Sequence, residues 1–351
     1  MRIAMVGRAL PRSDYAGGVS GQMHLLATAL VRRGHQVTVY ALNPPSVDGG
    51  YNYCPITIPN VLRTRPRAGL YLVPWWVSRI ALDDCDVVHA HGDDQFLRTN
   101  RPVVRTFYGA ACAEARYSTK LRHRLYHWSM VPFERVSERR ATEVVAISAS
   151  TQQYLTRRAV VIPCGYDPAV FFAANPKSRS PSILFVGDLG TRKRGDLVLS
   201  VFAEVVRVAI PTAELWMVTS ENVAGPGVRS FGRLGTAALA ELYRQAWVFC
   251  LPSRYEGFGV PYLEAMASGT PVVATSNGGS EEVLDAGRSG RIVEERKLGD
   301  ELVEVLGNGA TREKMTTAGL VRAKKYDIAR IAEKYEAVYE RLRWTAIREP
   351  L

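Results

Sequence analysis

Cysteine is scarce in this chain. Five residues, Cys54, Cys85, Cys112, Cys164 and Cys250, are scattered over 351 positions with no CxxC pair. Such an odd set supplies neither a disulfide framework nor a structural zinc site, and it points to a reducing cytoplasm. Long hydrophobic runs are also missing. No apolar stretch approaches a membrane span and the opening "MRIAMVG" has no extended apolar segment, so the expectation is a protein neither exported nor anchored by a helix. There is no solenoid repeat or long low-complexity tract. A GxGxxG fingerprint is absent, as is an acidic residue where a nicotinamide ribose would require one, which argues against a dinucleotide cofactor.

Apolar residues make up 47% and charged residues 23%, the composition of a soluble globular protein. The length suits two domains. The net charge is +11 and unevenly spread, with 21 basic against 12 acidic residues in positions 1–175. That half should attract anions. Its densest stretch, "RYSTKLRHRLYHW" from Arg116, mixes arginine, lysine and histidine with aromatics in a helix-compatible segment. A solvated helix face is the first reading and peripheral contact with an anionic membrane the second. Nucleic acid ranks third, because no recognition motif accompanies the charge.

Both halves open alike. "RIAMVG" precedes a glycine loop and an amphipathic segment, and "SILFVG" precedes "DLGTRKRGDLVLSVFAEVVRV". Further apolar runs ("HQVTVY", "CDVVHAH", "RPVVRTF", "EVVAIS", "AVVIP", "AELWMV", "AWVFCL", "TPVVAT") alternate with helical patterns, which predicts parallel strands covered on both faces. The fold class is therefore α/β, with two doubly wound domains. The polar "FAANPKSRSPS" reads as a linker, placing a first domain at 1–175 and a second at 176–327. The terminal pattern of Ile328, Ile331, Tyr335, Val338, Tyr339 and Leu342 has helical spacing and reads as core packing, so 328–351 is expected to complete the first domain.

The stretch "SRYEGFGVPYLEAMASGTPVVA" carries the chemistry. A strand, "AWVFCLPS", runs into the turn "RYEGFG" and then a helix with Pro261 in its first turn. Open α/β sheets bind ligands at the carboxyl ends of their strands, and helix N-termini attract anions. Carboxylates would repel phosphate but accept hydrogen bonds from sugar hydroxyls. Glu256 and Glu264 beside an anion cradle thus suit a nucleotide sugar. Taken singly, Glu264 reads as a residue offsetting the helix dipole and Glu256 as a solvent-facing turn residue.

These residues, with "NGGSEEVL" and "FVGDLGTRKRGDLVL", resemble the family 4 retaining glycosyltransferases of the GT-B fold. Weaker likeness through "GGVSGQMHLLATALVRRGHQVTVY", "DVVHAHG", "VVAISAS" and "VVIPCGYDP" extends it over nearly the whole chain. The resemblance implies two facing Rossmann-like domains with a cleft between them. It further implies a nucleoside-diphosphate sugar held mainly by the second domain, an acceptor hydroxyl held mainly by the first, and no cofactor or metal. Under it, Glu256 contacts the donor sugar near the reacting carbon and Glu264 holds the ribose. Gly257, Phe258, Gly259 and Val260 contribute backbone to sugar and diphosphate. Arg194 matches the basic position before Gly195, the last glycine of that loop, with Lys193 the alternative if the loop aligns differently. Gly17 and Gly18 match the glycine loop of the first domain, whose plain reading is an ordinary turn. Arg233 and Leu234 flank the base.

Two positions depart from the family pattern. Asp188 stands where an arginine is usual, with Arg192 or Lys193 as substitutes for the charge. Tyr108, in "RTFYGA", stands at the usual histidine near the outer hydroxymethyl end of the donor. His89 and His91 alternate on a strand and Asp93 and Asp94 follow; His91 and Asp93 read first as an acceptor-binding loop and the group second as a metal site. "DCD" at Asp84–Asp86 reads as a turn. The competing functions are a sugar-nucleotide epimerase or phosphorylase, and an inactive sugar-nucleotide-binding or membrane-associated scaffold. The Tyr108 departure predicts a donor modified or shortened at C6. Across a donor panel Tyr108→His should lose that preference, and an unchanged preference would remove the idea.

Overall fold

A computed structural model describes residues 1–11, 18–60, 62, 66–174 and 176–348, without the side chains of 66–70 and 345–348. The chain forms two compact units, one of residues 1–112, 127–165 and 328–351, the other of 113–126 and 166–327.

The sheet of the first unit contains β1 (Arg2–Val6), β2 (Gln36–Ala41), β3 (Asn52–Pro55), β4 (Val87–Ala90), β5 (Val103–Phe107), β6 (Glu143–Ala146) and β7 (Val160–Val161). Its order is β3-β2-β1-β4-β5-β6-β7, and every pair is parallel. The order reverses between β1 and β4, the topological switch point of a doubly wound sheet. Helices α1 (Gly18–Arg32), α2 (Pro66–Val77) and α5 (Ala149–Gln152) belong to this unit, and α3 (Ala111–Tyr117) and α4 (Leu121–Arg140) each have residues in both units. One face of the sheet is covered by Met23, Leu26 and Leu30 of α1, the other by Val73 and Val77 of α2.

The second sheet holds β8 (Ser182–Val186), β9 (Glu214–Val218), β10 (Val228–Ser230), β11 (Val248–Leu251), β12 (Val272–Thr275) and β13 (Arg291–Val293), in the parallel order β10-β9-β8-β11-β12-β13. Its switch point lies between β8 and β11. The helices are α6 (Gly195–Val201), α7 (Thr236–Gln245), α8 (Val260–Ala267), α9 (Gly278–Val283), α10 (Leu298–Gly307) and α11 (Gly309–Ala323). The central strands are apolar throughout because both faces are buried: every residue of β11 is inaccessible to solvent.

The last helix, α12 (Ile328–Arg348), packs on the first sheet. Its Ile328, Ile331, Tyr335, Val338, Tyr339 and Leu342 share one core cluster with Ile3, Met5 and Val37, as their spacing predicts. The segment read as a linker is instead fastened to the second unit. Lys177 donates to the Gly269 carbonyl at 2.9 Å and to Thr270 Oγ1 at 2.8 Å, and the indole of Trp247 donates to the Ser178 carbonyl at 2.8 Å. Polar composition there reflects hydrogen bonding to the unit rather than free solvation.

Tyr339 also carries α12 into a buried polar network. Its hydroxyl is bonded to His89 Nδ1 at 2.6 Å, while His89 Nε2 is bonded to Thr106 Oγ1 at 2.8 Å. Burial, helped by the Arg105 charge, lowers the His89 pKa to about 3. A neutral imidazole offers one donor and one acceptor, and both are used. Tyr339→Phe should therefore cost about 1–3 kcal/mol, read as a lower urea midpoint. A midpoint equal to wild type would show that the bond contributes nothing net.

Candidate active site

Gly187, Asp188, Lys193, Arg194, Glu256, Gly257, Phe258 and Gly259 lie in loops leaving the carboxyl ends of β8 and β11, at that sheet's switch point. The two loops are laced by one residue. The Arg192 carbonyl accepts from the Arg254 N–H at 2.9 Å, and Arg192 Nη1 donates to the Tyr255 carbonyl at 2.7 Å and to Glu256 Oε1 at 2.8 Å. Ser253 Oγ donates to the same carboxylate oxygen at 2.9 Å. Glu256 is buried, so these two donors replace the water it has lost. Arg192 Nε lies 3.5 Å from Glu114. Burial disfavours the guanidinium charge, yet Glu256 and Glu114 outweigh it and raise the Arg192 pKa.

Lys193 follows Arg192 and turns inward. Its Nζ donates to the Val186 carbonyl at 3.2 Å, and its stem lies across Gly187, where an added Cβ would meet Lys193 Cδ at 2.6 Å. Gly187 is thus the room through which the lysine passes. Burial lowers the Lys193 pKa, while the charges of Glu256 and Glu264 oppose that shift. Glu264 sits on α8, and burial raises its pKa to about 7 against the pull of the Tyr243 hydroxyl and Lys193. Lys193 is accordingly a buried cation whose charge both carboxylates favour.

Arg194 faces elsewhere. It adopts φ +61°, which swings its side chain away from that of Lys193 into an ion pair with Glu295. It lines an open cavity of about 540 Å³ with Ser253, Thr275, Ser276, Val293 and Glu295, at the carboxyl ends of β11, β12 and β13. Of the two basic residues left open, Lys193 is buried and bonded to the Val186 carbonyl, and Arg194 is paired with Glu295.

The turn before α8 needs its glycine. Gly259 has φ +98°, and a Cβ there would meet Tyr262 Cδ2 at 2.4 Å. The helix starts at Val260 with no side-chain cap; Pro261 has no N–H and the Tyr262 and Leu263 amides bond the Gly259 carbonyl, so Val260 is the helical residue whose amide can meet an anion. Gly257 is partly buried, whereas the ring of Phe258 is core, 5.5 Å from Tyr326. Only the backbone of Phe258 is on offer.

Asp188 has a structural role. It accepts from the Ser220 N–H at 2.9 Å and the Ser220 hydroxyl at 2.7 Å, fastening the β8 loop to the residues after β9. Burial works against its ionisation, but these donors, Thr219 and the Arg233 charge hold its pKa below the usual range. The expected base-flanking residues lie after β10, Arg233 exposed and Leu234 partly buried.

In the first unit Gly18 opens α1 at φ +61° with open space around it, and Gly17 lies outside the described residues. His91 and Asp93 follow β4 at the switch point. Arg8, after β1, binds Asp93 through two bonds of 2.6 and 2.7 Å, and Arg105 binds Asp94 at 2.8 Å. His91 Nδ1 is bonded to the Tyr108 hydroxyl at 2.8 Å, and burial drives the His91 pKa far down. The four side chains are thus partnered by arginines and hydroxyls rather than converging as ligands. Among the described residues no group of three or more His, Cys, Asp or Glu is placed to hold a metal ion. Sequence reasoning missed Ser253 and Tyr243. The i−3 spacing of Ser253 from Glu256 was a usable signal; nothing local marks Tyr243.

A parallel two-sheet fold with carboxylates and cations gathered at a switch point is the framework of a sugar-transferring enzyme. Residues 16–170 match Glycosyltransferase Family 4 and residues 180–308 match Glycosyl transferases group 1, and the chain belongs to this glycosyltransferase family. It is 29% identical to the phosphatidyl-myo-inositol mannosyltransferase of Mycobacterium tuberculosis strain H37Rv, over 97% of each chain. The fold is the GT-B fold. Sucrose-phosphate synthase from Thermosynechococcus elongatus superposes with a TM-score of 0.77 at 20% identity, covering 97% of this chain and 98% of that one. HepE from Anabaena, in complex with UDP-glucose, superposes with a TM-score of 0.74 at 15% identity, covering 97% and 99%.

Glu264 makes a pH-dependent prediction. Its folded pKa of about 7 exceeds the ordinary 4.5, so its contribution to stability is complete below pH 4.5 and is lost as pH rises through 7. The loss is on the order of 3 kcal/mol. Glu264→Gln does not titrate and should melt higher than wild type at pH 8, with the gap closing by about pH 5. A gap independent of pH would contradict the burial argument.

Proposed function

We propose that this glycosyltransferase moves a sugar from a nucleoside-diphosphate donor to an acceptor hydroxyl, with retention at the anomeric carbon and with no metal ion or other cofactor required. What supports the proposal is the buried cation Lys193, whose charge Glu256 and Glu264 both favour, together with the uncapped start of α8.

Each group has a task that its chemistry suits. Ionised Glu264 accepts from ribose hydroxyls. Glu256, fixed by Ser253 and Arg192, faces the donor sugar near the reacting carbon. Charge grows on the diphosphate as the glycosidic C–O bond breaks, and Lys193 with the amides of Gly259 and Val260 is oriented to receive it in advance. The acceptor oxygen forms its bond on the face the diphosphate leaves, and its proton passes to the departing phosphate oxygen. No side-chain nucleophile enters this sequence. Arg194, paired with Glu295 at the cavity rim, steers the donor. The mycobacterial relative, named for mannosyl transfer to phosphatidyl-myo-inositol, supports a hexose donor, mannose first, and a hydroxyl on a lipid-borne polyol as the acceptor.

The test begins with a panel of nucleoside-diphosphate sugars scored by thermal shift, since a ligand of the folded state raises the midpoint. The donor found should then support transfer in excess EDTA. Glu256→Gln should lower kcat by about 10²–10³ with the fold intact. Transfer that collapses in EDTA and returns with a divalent ion would overturn the metal-independent reading, and a fully active Glu256→Gln would overturn the role of that carboxylate.

A further inference from the structure

The cavity of about 540 Å³ at the carboxyl ends of β11, β12 and β13 has Tyr117, the last residue of α3, as one of its walls. Residues 113–126 belong to the second unit, so the whole lining comes from one compact body.

Tyr117 is held as a platform. Its ring lies 5.3 Å from that of buried Tyr255 and only 3° from parallel, an offset stack that aromatic quadrupoles favour. Glu114, one turn earlier on the same face of α3, stands 3.5 Å from Arg192 Nε, and Thr119 Oγ1 donates to the Gly190 carbonyl at 3.0 Å. Arg192 in turn donates to the Tyr255 carbonyl at 2.7 Å. Both rings of the stack are therefore tied to the guanidinium that holds Glu256. Exposed Arg116 reaches the Tyr117 ring at 6.0 Å, the outer limit of a cation–π contact.

The rest of the wall offers hydrogen-bond acceptors. Ser276 Oγ gives its hydrogen to Glu281 at 2.7 Å, which leaves its lone pairs for a ligand. Glu294 and Glu295 add carboxylates, paired with Arg296 and Arg194. Such a wall selects a ligand that donates hydrogen bonds and carries no negative charge. The C–H face of a sugar or cyclitol suits the tyrosine ring, and its hydroxyls suit the acceptors. Ser253 joins this cavity to the Glu256 carboxylate, to which it donates at 2.9 Å. The residues expected to flank the donor base follow β10, at the opposite edge of the sheet from β13.

We propose that this cavity is a subsite for one uncharged six-membered polyol ring of the acceptor, stacked on Tyr117 and hydrogen-bonded to Ser276 and Glu294. Assigning the ring to the acceptor rests on the transfer reading above; the binding of a polyol ring does not. The second unit thereby takes a share in acceptor recognition, which the family resemblance gives mainly to the first.

Saturation-transfer difference NMR on the full chain tests it, with methyl α-D-mannopyranoside and myo-inositol as probes and inorganic phosphate as the charged competitor. At least one polyol should bind wild type with a dissociation constant on the order of 1 mM, and phosphate should not displace it. Tyr117→Ala should weaken that binding at least about tenfold, whereas Tyr117→Phe and Tyr117→Trp keep it within about threefold. Ser276→Phe, altered at an exposed position of the wall, should block the polyol while keeping the wild-type thermal midpoint. These variants should bind GDP and UDP within about twofold of wild type. Failure of both polyols to bind, displacement by phosphate, or undiminished binding in Tyr117→Ala or Ser276→Phe would overturn the proposal. Displacement of the polyol by GDP-mannose or UDP-glucose would overturn it too, since the cavity would then belong to the donor. A wild type that takes up the polyol at Tyr117 but no nucleotide sugar would uphold the subsite and sink the transfer reading instead.

Discussion

One guanidinium organises the loops at the switch point of the second sheet. Arg192 ties the loop after β8 to the loop after β11, bonding the Tyr255 carbonyl and the Glu256 carboxylate together. A buried ion pair is costly unless its remaining hydrogen-bonding groups are satisfied. Here Ser253 completes Glu256, and Glu114 stands by the far side of the guanidinium. With that clasp closed, the next two residues have little freedom. Lys193 passes inward over Gly187, and Arg194, at a left-handed φ, turns to Glu295. The tripeptide Arg192-Lys193-Arg194 thus divides three cations among a structural clasp, a buried ammonium bonded to the Val186 carbonyl and the rim of a cavity.

The same arrangement concentrates unfavourable terms where chemistry is expected. Burial raises the Glu264 pKa to about 7, and burial lowers that of Lys193 against the charges of Glu256 and Glu264. Groups perturbed in this way cluster at functional sites because a protein tolerates local instability there in exchange for activity. The histidine network of the first unit shows the opposite treatment. His89 has both nitrogens occupied by hydroxyls and stays neutral, a stabilising device linking α12 to β4 and β5.

Much of the fold was legible because central parallel strands must be apolar on both faces. Each of the ten runs read from the sequence is a strand, from "RIAMVG" to "TPVVAT". The strands not read, β3, β10 and β13, all lie at sheet edges, where one side is unpaired and burial is incomplete, so no continuous apolar run marks them. At the site, Glu256, Glu264 and the glycine turn were visible as a motif. The division of labour between Lys193 and Arg194 was not, because it depends on one backbone torsion and on the space over Gly187. Asp188 looked like a missing cation, and its hydrogen bonds to Ser220 show why a carboxylate belongs there.

The central claim is that Lys193, rather than Arg194, receives the charge of the departing diphosphate. Calorimetric titration of wild type, Lys193→Met and Arg194→Met with GDP and with UDP addresses it most directly. The account predicts that the nucleotide bound by wild type loses at least about tenfold in affinity in Lys193→Met and less than about threefold in Arg194→Met. The reverse order, or wild-type affinity retained without Lys193, would contradict it.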